Sequence, residues 1–215
     1  MQISHLFFRG LTFVTIALTL SACDQKATSQ QAETQQAVAA KNEIVALSGK
    51  TMGTTYHIKY WGNNEVSITS QQAHEKIESI LKAVNAKMST YIQDSEISRF
   101  NQNTQTNTPI EVSADFALVV KEAMRLNQVT QGALDVTVGP VVNLWGFGPE
   151  KRVEKQPTQA QINERQASVG IDKLSLTEES GKFFLAKAVP QLYVDLSSIA
   201  KGFGVDQVAD YLESI

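Results

Sequence analysis

The chain has 215 residues, 42% of them hydrophobic and 19% charged, which suits one domain with a core plus accessory segments. A formal net charge of −3, with no run of Lys and Arg, argues against a nucleic-acid binder, which needs a clustered basic face. One Cys excludes a disulfide framework and a Cys-rich metal site, and the three His (His5, His57, His74) are too few for a His-rich one, so any metal would be held mainly by oxygen, as Mg²⁺ or Ca²⁺ is.

Residues 1–23 read as a secretory signal. His5 and Arg9 precede an apolar stretch, Leu11 to Leu20, that is short of the roughly 20 residues a membrane span needs. Leu20-Ser21-Ala22-Cys23 resembles the bacterial lipobox, in which the Cys is lipidated and becomes the first mature residue. The other reading is an incidental Cys after an ordinary signal. Asp24 resembles an inner-membrane retention signal, so the expected location is the periplasmic side of the inner membrane, on a lipid anchor. Residues 24–42 are Gln, Ala, Ser and Thr with almost no large apolar side chain, and are expected to form a flexible tether. The folded part is expected over 43–215.

Ile44–Leu47 and Thr54–Ile58 are β-prone, with turn chemistry at Trp61-Gly62-Asn63-Asn64, which suggests a hairpin-like opening. Ser70 reads as the cap of a helix with Ile77, Ile80, Leu81, Val84 and Met88 on one face. A second helix is expected from a Ser113 cap, with Phe116, Val119, Val120, Ala123 and Met124 together and Gly132 just beyond it. A third runs from about Thr158 to Ser168. Lys173–Thr177, Lys182–Ala186 and Leu192–Leu196 read as short strands. A last helix begins near Ser197 or Ser198 and turns Ile199, Phe203, Val208, Ala209 and Leu212 inward. The mixed order predicts an α+β fold. This helix reaches Ile215 with no capping Gly and no closing strand, which suggests a domain that continues beyond it.

Four segments carry residues odd for packing alone. Gly49 to Tyr56 brackets hydroxyl residues with glycines, which suits either close approach to a ligand or a β-bulge or turn. Met88 to Asn101 mixes Tyr91 with Ser, Asp and Arg: a ring that can stack on a planar group, or a surface loop with a capping Ser or Asp. In Gly132 to Pro149, Asp135 lies among small and apolar residues and needs a cation or hydrogen bonds to offset its desolvation, while the Trp145 to Pro149 run equally suits a rigid core corner. Tyr193 to Gly204 reads as strand, polar turn and helix start. Asp195, Ser198 and Lys201 converge there on a helix N-terminus, a place for a phosphate or merely for a cap. It is no Walker loop, because the spaced glycines are missing.

Together these segments resemble the ApbE family of FAD:protein FMN transferases. The likeness rests on Thr51-Met52-Gly53-Thr54, on Ser89-Thr90-Tyr91 with Asp94-Ser95 and Arg99-Phe100-Asn101, on Asp135-Val136-Thr137-Val138-Gly139-Pro140 with Trp145 to Pro149, and on Asp195-Leu196-Ser197-Ser198-Ile199-Ala200-Lys201-Gly202-Phe203. The resemblance implies that Met52, Tyr91, Ala133, Leu134, Asp135, Asp195 and Lys201 contact FAD, that Asp195 and Lys201 are catalytic, and that Ser198 gives a Mg²⁺ ligand, in relatives a backbone carbonyl. It implies Mg²⁺-dependent transfer of FMN from FAD to a Thr of an acceptor protein, with release of AMP, on proteins of membrane redox complexes. It also implies that the remaining Mg²⁺ ligands, an Asp and a Thr, lie beyond residue 215. The competing readings are a periplasmic FAD-binding lipoprotein, an FAD pyrophosphatase without an acceptor, and a scaffolding lipoprotein whose motifs serve packing.

Overall fold

A computed structural model describes residues 43–62, 68–149 and 155–215. The expected signal with Cys23, the expected tether and the Asn63-Asn64 part of the expected turn lie outside them. The fold is α+β, with six α-helices and two small antiparallel sheets among the described residues.

Strands β1 (Ile44–Thr51) and β2 (Thr54–Trp61) form the first sheet. They alternate with period two: Val45, Leu47, Tyr56 and Ile58 are half-buried while Ala46, Ser48, His57 and Lys59 are exposed. The pair Thr51↔Thr54 leaves Met52-Gly53 as a two-residue turn with φ of +49° and +73°. Two positive φ angles match the right-handed twist of the strands, as in a type I′ turn. The hairpin therefore turns at Met52-Gly53 and not after Trp61. Gly53 supplies the left-handed conformation that the sequence reading had left open between turn and ligand.

Helix α1 (Ser70–Met88) is capped by Thr69 in a reciprocal box with Gln72, so Ser70 is the first helical residue rather than the cap. Its Ile77 and Leu81 meet Leu47, Tyr56 and Ile58 of the hairpin. Helix α2 (Glu96–Gln102), capped by Ser95, escaped the periodicity reading because seven residues give it only Ile97, Ser98 and Phe100 to bury. The three-residue β3 (Ile110–Val112) escaped it for the same reason. Helix α3 (Ala114–Val129) has the expected Ser113 cap, and Gly132 follows at φ +87°, its N–H donating to Asn127 O at 2.8 Å.

Next come α4 (Gly139–Leu144), with Pro140 in its first turn, and α5 (Gln159–Gln166), capped by Thr158 with no buried residue. Strands β4 (Leu174–Glu179) and β5 (Lys182–Lys187) join β3 in the order β3-β5-β4. The main core lies between this sheet and the helices, around Phe100, Phe116, Val120, Leu185, Leu192, Val194 and Leu196.

Two expectations need correction here. Leu192–Leu196 is not a strand of either sheet, although Leu192, Val194 and Leu196 are buried with a strand's alternation. Alternation requires only extended backbone; at its centre Val194 bonds the Asn101 side chain and Asp195 N–H bonds Val136 O, with one isolated parallel bridge, Val138↔Tyr193. The last helix, α6 (Ala200–Glu213), starts at Ala200 and not at Ser197 or Ser198. Ser197 is held in a turn by Asp195, the Ala200 N–H closes a further turn on Leu196 O at 2.8 Å, and the first bond of the helix runs from Phe203 N–H to Ile199 O at 3.2 Å.

Candidate active site

Two aspartates are built alike. Asp135 Oδ1 accepts from Thr137 N–H at 2.8 Å and from the Thr137 hydroxyl at 2.6 Å. Asp195 Oδ1 accepts from Ser197 N–H at 2.8 Å and from the Ser197 hydroxyl at 2.5 Å. A short acid followed two residues later by a hydroxyl closes an Asx turn on itself, and these bonds hold the carboxylate in one rotamer. The two turns lie side by side, because Asp195 N–H donates to Val136 O at 2.7 Å. Thr137, fully buried, also accepts from Gly170 N–H at 2.7 Å, which ties the first turn to the approach of β4.

Two cavities open around this pair. One, of about 440 Å³, is lined by Ala133, Leu134, Asp135, Val138, Val142, Phe147, Asp195, Ser197 and Ser198. The other, of about 630 Å³, is lined by residues that include Met52, Asn85, Met88, Tyr91, Ser197 and Lys201. Ser197 belongs to both walls. Every residue that the sequence singled out for FAD or metal thus lines one of two adjoining cavities: Ala133, Leu134, Asp135, Asp195 and Ser198 the smaller, Met52, Tyr91 and Lys201 the larger.

The larger cavity is shaped by distant segments. Asn85 on α1 donates to Thr51 Oγ1 at 3.0 Å and so fixes the hairpin tip that presents Met52. Tyr91 is 65% exposed, yet its hydroxyl donates to Phe147 O at 3.0 Å. One end of the ring is anchored and its face remains open. Lys201 is exposed in the first turn of α6. Asn85, Phe147 and Ser197 were not assigned to the site from the sequence. The repeated Asp-x-(Ser/Thr) spacing is the signal that could have found Ser197 and the Trp145 to Pro149 run the one for Phe147; Asn85 leaves none, since only the fold brings it there.

The smaller cavity offers carboxylate and hydroxyl oxygens from Asp135, Asp195, Ser197 and Ser198. In kind this donor set suits a hard cation. Among the described residues no group of three or more His, Cys, Asp or Glu gathers where a metal could sit.

Gly139 is essential to the geometry. A Cβ there would stand 2.3 Å from the Tyr193 ring and 2.9 Å from Tyr193 O. Backbone cannot move as a side-chain tip can, so Gly139→Ala is expected to displace the Tyr193–Asp195 stretch and to cost about 1–3 kcal/mol, read by denaturant unfolding. Unchanged stability would show that this stretch yields freely.

Residues 52–215 match the ApbE family. The chain is 64% identical over 206 residues to an FAD:protein FMN transferase of Haemophilus influenzae, covering 96% of this chain and 55% of that protein. It is 54% identical over 172 residues to an FAD:protein FMN transferase of Vibrio cholerae, covering 80% of this chain and 50% of that one. Among solved structures, the Flavin Transferase ApbE from Vibrio cholerae superimposes with a TM-score of 0.74 at 55% identity, over 80% of this chain and 54% of that chain. The Pseudomonas stutzeri flavinyl transferase ApbE in its apo form does so with a TM-score of 0.73 at 34% identity, covering 80% of this chain and 56% of that one. The chain spans about half the length of the relatives it matches. With a match over residues 52–215, most of its length, the chain belongs to the ApbE family.

Proposed function

We propose that this chain serves the Mg²⁺-dependent transfer of FMN from FAD to a threonine of an acceptor protein, with release of AMP. The observation that carries the reading is the convergence of residues from four separate segments on two cavities that share Ser197. One wall holds a stacking ring, a thioether and an ammonium; the other holds two oriented carboxylates. A dinucleotide with planar groups joined by a pyrophosphate needs both kinds of wall.

In this reading the open face of Tyr91 stacks on a planar ring, and Met52 fits its flexible thioether against the same ligand. Lys201 neutralises phosphate oxygens as a point charge, aided by the positive end of the α6 dipole. The hydroxyl oxygen of the acceptor threonine bonds to the phosphorus of the FMN half, and the bridging P–O bond breaks toward AMP. Asp195 takes the hydroxyl proton. Asp195 and Ser198 would help to hold Mg²⁺, which when bound supplies positive charge against the charge that develops on the transferring phosphoryl group. The acceptors in this reading belong to membrane redox complexes. The location is the periplasmic side of the inner membrane, through a lipid on Cys23.

The test uses the chain with FAD and Mg²⁺, with and without a threonine-bearing acceptor, following AMP by chromatography and flavin fluorescence on the acceptor in a gel. The expected result is AMP release abolished by EDTA, with fluorescence on the acceptor. AMP without fluorescence would make the activity FAD hydrolysis, and bound FAD without AMP would make it flavin binding. A chain that neither binds nor cleaves FAD would sink the flavin reading.

A further inference from the structure

The segment that delivers Asp195 is extended but has no strand beside it for most of its length. Its place is taken by a side chain. Asn101, from α2, donates through Nδ2 to Val194 O at 2.8 Å and accepts at Oδ1 from Val194 N–H at 2.8 Å. A carboxamide offers one donor and one acceptor in the spacing of a peptide group, so Asn101 does for Val194 what a neighbouring strand would do. The residue so held is the one before Asp195.

Behind Asn101 stands Lys187, at the end of β5 and 1% exposed. Its Nζ donates to Asn101 O and to Leu192 O, each at 3.1 Å, and lies 4.9 Å from the centre of the Phe100 ring. A lysine is expensive to bury, and these bonds join the end of α2 to the start of the Asp195 segment. One cation thus fixes the backbone of Asn101 while the Asn101 amide fixes Val194.

We propose that Asn101, braced by Lys187, is a positioning residue for Asp195: it sets where the carboxylate stands in the wall of the smaller cavity. Its consequence for catalysis rests on the transfer reading above; its effect on the segment does not. Asn101→Asp keeps an acceptor for Val194 N–H but turns a second oxygen toward Val194 O, and Lys187→Met removes the brace with little change in volume.

The experiment compares the full chain with Asn101→Asp, Lys187→Met and Asn101→Asp in an Asp195→Asn background. Hydrogen exchange is followed on peptides covering residues 192–198, and AMP release is followed from FAD. For both single variants, amides of 192–198 are expected to exchange at least about tenfold faster while those of α3 and β4–β5 stay within about threefold. The kcat is expected to fall at least about tenfold with KM for FAD within about threefold, and Asn101→Asp should cost less than about threefold once Asp195 is already Asn. Unchanged exchange at 192–198, equal acceleration throughout the core, or an undiminished loss in the Asp195→Asn background would each overturn the proposal. A wild-type chain that releases no AMP would fail the transfer reading alone, because the exchange result still decides whether Asn101 holds the segment.

Discussion

Asp195→Asn is expected to lower FAD-dependent AMP release by at least about 100-fold while leaving the melting temperature nearly unchanged. Both known partners of the carboxylate, Ser197 N–H and the Ser197 hydroxyl, bind Oδ1, and both donate to it. An asparagine keeps an acceptor oxygen in that position, so the turn that precedes α6 survives. What it loses is the negative charge and the capacity to take a proton. Alanine is a poorer probe, since it removes the acceptor as well and opens the turn. AMP release within about threefold of wild type would remove Asp195 from the chemistry and leave it the role of a turn-former.

Stability should rise with pH between about 8 and 10, and Lys187→Met should abolish the rise. Burial pushes the Lys187 ammonium down from 10.5 to about 8. In the unfolded chain the same group titrates near its ordinary value, so from pH 8 upward the unfolded state binds more protons than the folded one. The unfolding free energy then increases with pH, and the gain is lost as pH falls back through 8. The size is on the order of 2 kcal/mol. Tyr56 opposes it at the upper end. Burial, and then the hydrogen bond to Glu78, push its phenol up to about 12, so above 10 the folded state keeps a proton that the unfolded state gives up. The curve should turn over near pH 10. Urea unfolding at pH 7, 8, 9 and 10, for wild type and Lys187→Met, isolates the lysine as the difference between the two. A flat wild-type curve would mean that its carbonyl partners fully offset its burial.

How much of this was legible depended on what each element asks of its residues. The long amphipathic helices α1 and α3 were visible because five or more buried side chains recur at helical spacing, and Ser113 marked one start. The residues singled out for FAD or metal were visible as types, and all of them line the two cavities. Their arrangement was not. Nothing local says that Asn101 reaches across 93 positions to Val194, or that Asn85 ties down Thr51. Leu192–Leu196 misled because burial on alternate sides is also what a side-chain clamp and a core produce. Ser197 misled because a residue suited to capping a helix was already engaged by an aspartate two positions before it.

The hairpin tip has a consequence of another kind. Met52 occupies a left-handed position that glycine or asparagine fills with less strain, while its side chain reaches the core and the wall of the larger cavity. Backbone economy and contact with a bound molecule therefore favour different residues at one codon. In a lineage where the cavity fell out of use, selection would no longer hold the thioether there, and drift would carry the position toward the residues the turn itself prefers.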